Sequence, residues 1–148
     1  MNSSYDISKL TSNGHSHKYG SEYIKFTITE NGKLSYFNCS SKREDRNIRR
    51  EVYLSNMLMK EIQRMIMEEG ILDLVDNKWP KVDKIDRQEL EIVFDKKSVL
   101  LETKKISSFF EVKQTNDSDN LGKFYFFIQD LKNLIDNLLD FHCKDNPY

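Results

Sequence analysis

Four places in the chain carry side chains of the kinds that do chemistry. His15-Ser16-His17 offers two imidazoles to a metal ion, but no matching Cys or His pair stands near in sequence, so a solvated polar segment is the simpler reading. His142 adjoins Cys143 at the end of a helical pattern, where an imidazole meets the negative end of the helix dipole more readily than a nucleophile's proton. Glu89 and Glu91 alternate onto one strand face like an acid/base pair. Arg87 shares that face, and a surface salt-bridge ladder follows. Gly122-Lys123-Phe124-Tyr125-Phe126-Phe127 resembles the aromatic signature with which an RNA-recognition motif stacks bases. That signature needs a central strand, whereas this run continues through Gln129 to Ile135 with helical period. The chain has no Gly-rich phosphate loop, nucleophile elbow or ligand-spaced metal helix. No cofactor and no metal are expected.

Composition narrows the classes further. A chain of 148 residues is of single-domain length. Charged residues make up 32%, yet the signs nearly cancel to a formal charge of -1, so no global field holds a phosphate backbone. Only Cys39 and Cys143 could pair, too few for a disulfide framework, and no apolar N-terminal run resembles a signal peptide; a reducing compartment is expected. No apolar stretch reaches the roughly 20 residues needed to span a bilayer. No membrane association is expected.

The elements that must position any site follow from hydrophobic period. Residues 5–11 form a weak strand candidate, followed by a polar loop or ragged hairpin over 12–20. Ile24, Phe26 and Ile28 alternate with Lys25 and Thr27 as a half-buried strand does. Asn31-Gly32 then predicts a tight turn into a second strand over 33–39. After a charged loop over 40–47, Ile48, Val52, Met59, Ile62 and Ile66 recur at helical spacing up to a cap near Gly70. Residues 73–86 form a connector with a short helical turn before Trp79-Pro80. Strands are expected over 88–94, 98–103 and 106–113, then a loop over 115–122 and a long helix over 123–142.

Both long helices carry more apolar residues than one sheet can cover. In the last helix Phe124, Ile128, Leu131, Ile135 and Leu138 form one row, while Tyr125, Phe127, Leu134 and Phe141 point in neighbouring or opposite directions. In the first, Leu54, Met57, Leu58 and Met65 widen the stripe of Val52, Met59, Ile62 and Ile66. The surplus either packs helix against helix or leaves an exposed patch for a partner. Three functions remain open from the residues alone: an interaction scaffold, a small direct RNA-binding module, and an enzyme whose site is too diffuse to see.

Several segments have a family's order and spacing from about Asp6 to the C-terminus: Tyr19-Gly20-Ser21-Glu22-Tyr23, Asn31-Gly32-Lys33-Leu34, Trp79-Pro80, Arg87-Gln88-Glu89-Leu90 with Glu91-Ile92-Val93-Phe94, and Gln129-Asp130-Leu131-Lys132. Together they resemble the Mago nashi family over nearly the whole chain. The resemblance implies a single α+β domain over 1–148, with ragged termini at 1–4 and 144–148. The implied fold is a six-stranded antiparallel sheet with two long helices and a short helix packed on one face. It also implies a non-enzymatic scaffold of the exon junction complex. Such a scaffold forms an obligate heterodimer with an RNA-recognition-motif protein, whose sheet its helices cover. The heterodimer locks a DEAD-box ATPase of the translation initiation factor 4A type on spliced mRNA, which the scaffold meets only indirectly. Roles in mRNA splicing, processing, transport and nonsense-mediated decay, and a nuclear location with shuttling to the cytoplasm, come with it.

For the first partner, the helical row Leu131, Ile135 and Leu138, with Met57 and Leu58, is the expected face. For the ATPase and other complex members, the resemblance implies Glu22, Arg43, Asp119 and Lys132. Glu22 and Lys132 match the family outright, Arg43 stands for a Lys, and Asp119 for a Glu. The sequence departs over 70–76, where the family carries an acidic stretch after the first helix.

Overall fold

The sheet is built outward from a tight hairpin, whose geometry Gly32 makes possible. Gly32 adopts φ +85°, and a Cβ there would meet the Leu54 carbonyl oxygen at 3.0 Å. Its N–H donates to Thr29 O at 2.9 Å, and Asn31 Oδ1 accepts from the Lys33 N–H at 3.2 Å, closing the turn between β2 (Glu22–Thr29) and β3 (Lys33–Ser40). The computed structural model describes residues 7–16, 22–40, 48–82, 86–94 and 97–145, with 141–145 by backbone alone. Arg43, His17 and most of the expected 40–47 loop lie outside the described residues, as do the side chains of His142 and Cys143.

Four further strands, β1 (Ile7–Ser16), β4 (Ile48–Tyr53), β5 (Arg87–Phe94) and β6 (Lys97–Thr103), complete an antiparallel sheet in the order β4-β3-β2-β1-β5-β6. Register stacks residues into rows across it. Leu34, Ile28, Leu10 and Ile92 stand opposite one another, and so do Tyr36, Phe26, Ser12, Leu90 and Leu101. These rows face the helices. The third row, Asn38, Ile24, Gly14, Gln88 and Thr103, is mostly polar. Gln88 Nε2 there donates to Ser12 Oγ at 3.2 Å and to Asn13 O at 3.3 Å.

Above that face lie α1 (Asn56–Glu68), a 3-10 turn (Ile71–Asp73), the short α2 (Phe109–Lys113) and the long α3 (Ser118–Asp145). The fold is therefore the expected α+β arrangement, with two long helices and one short. Met59, Ile62 and Ile66 of α1 and Leu121, Phe124, Phe127, Ile128, Leu131, Ile135 and Leu139 of α3 share one core with the inward strand residues. Gly70, at φ 65°, ends α1 in the left-handed cap its sequence position predicts.

The count of six strands holds, but one of them is exchanged. Residues 48–53 form β4 rather than the start of the first helix. A spacing of four, as between Ile48 and Val52, keeps two residues on the same face of a helix and of a strand alike, so period alone cannot separate them. Pairing with β3 decides it, and α1 starts only after Ser55, whose Oγ accepts the Leu58 N–H at 3.1 Å. Conversely, 106–113 is not a strand. Ser108 caps α2 by accepting the Glu111 N–H at 3.4 Å, and the Glu111 carboxylate accepts the Ser107 N–H. Ser108-Phe109-Phe110-Glu111 is thus a capping-box signature that outweighs the alternation around it. β1 also runs on through Ser16, because β2 and β5 pair with it on both sides. A bulge between Ile7 and Lys9 turns both Ile7 and Leu10 inward despite their odd spacing. α3 begins at Ser118, five residues before the expected Lys123.

Residues 71–80 run as a strap along the outer edge of β6. Asp73 pairs with Lys97 at 2.6 Å, Asp76 Oδ2 accepts the Glu102 N–H at 2.8 Å, and Pro80 O accepts the Lys104 N–H at 3.0 Å. Trp79 is 4% exposed and lies 5.0 Å from the Phe124 ring, and its indole N–H donates to Asp117 Oδ2 at 3.1 Å. Asp117 O in turn accepts the Leu121 N–H at 3.0 Å, so the strap is tied to the start of α3.

Candidate partner-binding surfaces

The residues with chemical potential resolve into structural roles. His15 stands edge-on to Tyr23 at 6.1 Å, and Tyr23 to Phe37 at 5.9 Å, with the Arg49 guanidinium 4.7 Å above Phe37. This row decorates the sheet face away from the helices. Glu89 pairs with Arg87 at 3.3 Å and Glu91 with Lys9 at 3.6 Å, the ladder the sequence predicts. Glu102 faces Glu89 in register; hydrogen bonding to Glu89, then burial and the Glu89 charge, push its carboxyl above the usual range. Among the described residues no group of three His, Cys, Asp or Glu could hold a metal ion. The aromatic run is helical, with Phe124 and Phe127 in the core. No helix among the described residues is long and apolar enough to cross a membrane.

The row drawn for the first partner divides. Leu131 and Ile135 are 0% and 1% exposed, so they belong to the chain's own core and have no surface left to offer; this corrects the expectation for both. They face the sheet because the apolar arc of α3 is centred on them. Leu138 sits at the border of that arc, half-buried against the core, as do Leu134 on α3 and Leu58 and Met65 on α1. Met57 is 81% exposed. Part of the surplus therefore packs inward and part stays accessible. Met67 is also exposed on α1, beside a charged cluster in which Arg64 bridges Glu61 and Glu68, and the Arg64 hydrogen bond to Glu61 holds that carboxyl below the usual range.

The residues drawn for the second partner also divide. Glu22 and Lys132 line one small pocket over the polar third row, and Lys132 also lines an adjoining groove of about 200 Å³ between the sheet and α3 that Glu22 does not reach. Gly14 lines the small pocket and Gln88 lines both, and a Cβ on Gly14 would approach Gln88 Oε1 to 3.0 Å. Lys105, which the sequence gave no reason to single out, lines the same groove. Burial and then the Lys132 charge push its ammonium pKa down, against Glu22 and Asp86. Burial likewise pushes the Asp136 carboxyl up, with Lys132 opposing. Asp119 is exposed in the first turn of α3 and is not part of the groove. It precedes Lys132 by thirteen positions, about 20 Å along the axis.

An α+β module of this kind, with helices closing one sheet face and keeping apolar and charged side chains on their outer sides, is a docking scaffold in form. The family model for "Mago nashi protein" matches residues 11–148. A protein of Arabidopsis thaliana described as "Protein mago nashi homolog" is 40% identical over 134 residues, covering 90% of this chain and 89% of that protein. The chain belongs to the Mago nashi family. A role of exon-junction-complex type, exercised through protein partners, goes with that membership.

Proposed function

We propose that the protein is a non-enzymatic subunit of an exon junction complex, which forms a heterodimer with an RNA-recognition-motif protein through the outer side of α1 and α3. The heterodimer then locks a DEAD-box ATPase of the translation initiation factor 4A type on spliced mRNA. One observation carries the geometry: both long helices lie on the same sheet face, with Met57 exposed and Leu58 and Leu138 only half-covered. Glu22, Lys132 and Asp119, with Arg43, are the contacts to the ATPase in this reading. A nuclear location with shuttling, and a part in message transport and nonsense-mediated decay, complete it. Leu138→Arg tests the first interface. A partner would bury its charge unpaired, which costs on the order of 3–5 kcal/mol. Folded Leu138→Arg protein should fail to hold the RNA-recognition-motif protein in a pull-down; undiminished retention removes Leu138 from the interface.

The row His15, Tyr23, Phe37 and Arg49 on the open sheet face favours a second reading, a small direct RNA-binding module. Glu51, Glu89, Glu91 and Glu102 share that face and oppose phosphate, which places this reading second. Fluorescence anisotropy with single-stranded RNA should show only weak, salt-sensitive binding by the isolated chain. Micromolar or tighter affinity at physiological salt would exchange the order of the two.

A further inference from the structure

A sheet side roofed by helices is ordinarily apolar, and a polar group buried there costs free energy unless it finds a hydrogen bond. Among the described residues four polar side chains are buried, Ser12, Asn38, Gln88 and Thr103, and the register puts all four on the helix-facing side of the sheet. Gln88 and Thr103 line the groove under α3, and Ser12 lines the small pocket beside it. Three of the four thus lie beneath one opening. Gln88 is 9% exposed, and its Nε2 spends its donors on Ser12 and Asn13, so its Oε1 stands over Gly14. An amide oxygen there suits an ammonium, and Lys105 and Lys132 line the same small pocket.

The roof of the groove changes character along its length. Phe124, Ile128 and Lys132 follow one another at four-residue spacing on α3 and all line the groove, so one line of the helix runs from apolar to charged. Ile128 lies one turn from Lys132, about 6 Å, and Phe124 two turns, about 12 Å. Ile106 adds apolar surface from the segment after β6. The charges lining the groove are the Lys105 and Lys132 ammoniums against the Asp136 carboxylate, an excess of one positive. Glu22 borders only the small pocket, and Glu22 and Asp86 do not offset the burial and the Lys132 charge that disfavour the Lys105 ammonium. One negative charge is the complement. Size narrows the ligand further, because about 200 Å³ is below the roughly 300–1,000 Å³ of sites for drug-sized molecules, while an engineered cavity of about 150 Å³ holds one benzene ring. Nucleotides are too large.

We propose that the groove between the sheet and α3 binds a small amphipathic monocarboxylate. Lys105 and Lys132 hold the carboxylate, and a single ring or short alkyl chain lies back along Ile128, Phe124 and Ile106. Gln88 offers the ammoniums an acceptor from below. A carboxylate between two ammoniums relieves their repulsion as well as pairing with each. The site needs no protein partner, so it stands or falls apart from the two-partner reading.

The test uses the full-length chain with carbon-13 at its isoleucine δ1 methyls, titrated with 3-phenylpropanoate and with octanoate. Movement of the Ile106 and Ile128 methyl signals gives the site and the Kd, expected on the order of 1 mM or tighter for molecules of this size. The alcohol 3-phenylpropan-1-ol keeps the ring and lacks the charge, so it should bind at least about tenfold more weakly. Acetate, which lacks the apolar body, should move neither signal. Lys105→Gln and Lys132→Gln should each weaken 3-phenylpropanoate at least about tenfold, and Lys132→Arg should retain most of the affinity. Unmoved Ile62 and Ile92 signals show that each variant keeps its core. Equal affinity for acid and alcohol, a Kd untouched by either glutamine variant, or shifts confined to isoleucines outside the groove would overturn the proposal. So would the absence of binding by both acids up to about 10 mM. Tighter binding of phenyl phosphate assigns the lysines to phosphate, and binding of a Phe-Glu peptide where neither acid binds assigns the groove to a protein; each result rejects the monocarboxylate.

Discussion

Trp79 and Asp117 lie 38 positions apart in sequence, and a single hydrogen bond between them ties the strap to the start of α3. Trp79→Phe keeps a buried ring against Phe124 and removes only the indole N–H and part of the ring area. The half-buried Asp117 carboxylate keeps Asn120 Nδ2 as a donor at 3.2 Å but loses Trp79 Nε1. A hydrogen bond to a charged group contributes about 1.5–3 kcal/mol, more than a solvent-exposed ion pair generally does. A double-mutant cycle with Asp117→Ala should return a coupling energy of about 1.5–3 kcal/mol. Melting should shift by about 2–4 °C for each kcal/mol in a domain of roughly this size. Trp79 is the only tryptophan, so the unfolding signal must be far-UV circular dichroism in urea, because fluorescence leaves with the substitution. A coupling below about 0.5 kcal/mol would refute the bond's role and leave Trp79 as plain packing.

Leu131→Ala should destabilise the isolated chain by about 2–5 kcal/mol in a urea titration, because Leu131 is a core residue here; an unchanged midpoint would return it to the surface. The Glu102 carboxyl is pushed above its unfolded value, so the folded chain holds that proton more tightly. Its contribution to stability is therefore present at low pH and lost as pH rises through the folded pKa. Glu102→Gln should remove this slope, read as the difference between wild-type and variant urea midpoints from about pH 4 to 7; parallel curves would contradict it.

Where a side chain's direction follows from its immediate neighbours, the sequence was sufficient. Ile24, Phe26 and Ile28 alternate with polar residues, Asn31-Gly32 demands a turn, and α1 stops at Gly70. What depended on distant partners was not legible. Ser12 to His15 have weak strand character and become strand because β2 and β5 flank them. Ile48 and Val52 fit both periods, and only β3 chooses between them. The same limit applied to the partner surface. Once the apolar arc of α3 exceeds the width one sheet covers, spacing shows that Leu131, Ile135 and Leu138 are neighbours but not which of them is innermost. Glu22 and Lys132 meet across 110 positions of chain, and Lys105 joins them through the end of β6, with no local signal for either.

The strap has a consequence for solubility as well as for α3. Any sheet with two bare borders can recruit a copy at each, and every copy presents a fresh border, so growth has no natural end. Here Asp76 and Pro80 already occupy the backbone donors of Glu102 and Lys104, and the continuous run that an incoming strand requires is broken along β6. Among the described residues no comparable strap runs along β4, which carries Arg49, Arg50 and Glu51, all exposed. A second copy paired there by a twofold axis would leave only the β6 edges outermost, where the occupied donors of Glu102 and Lys104 shorten the run open to a further strand.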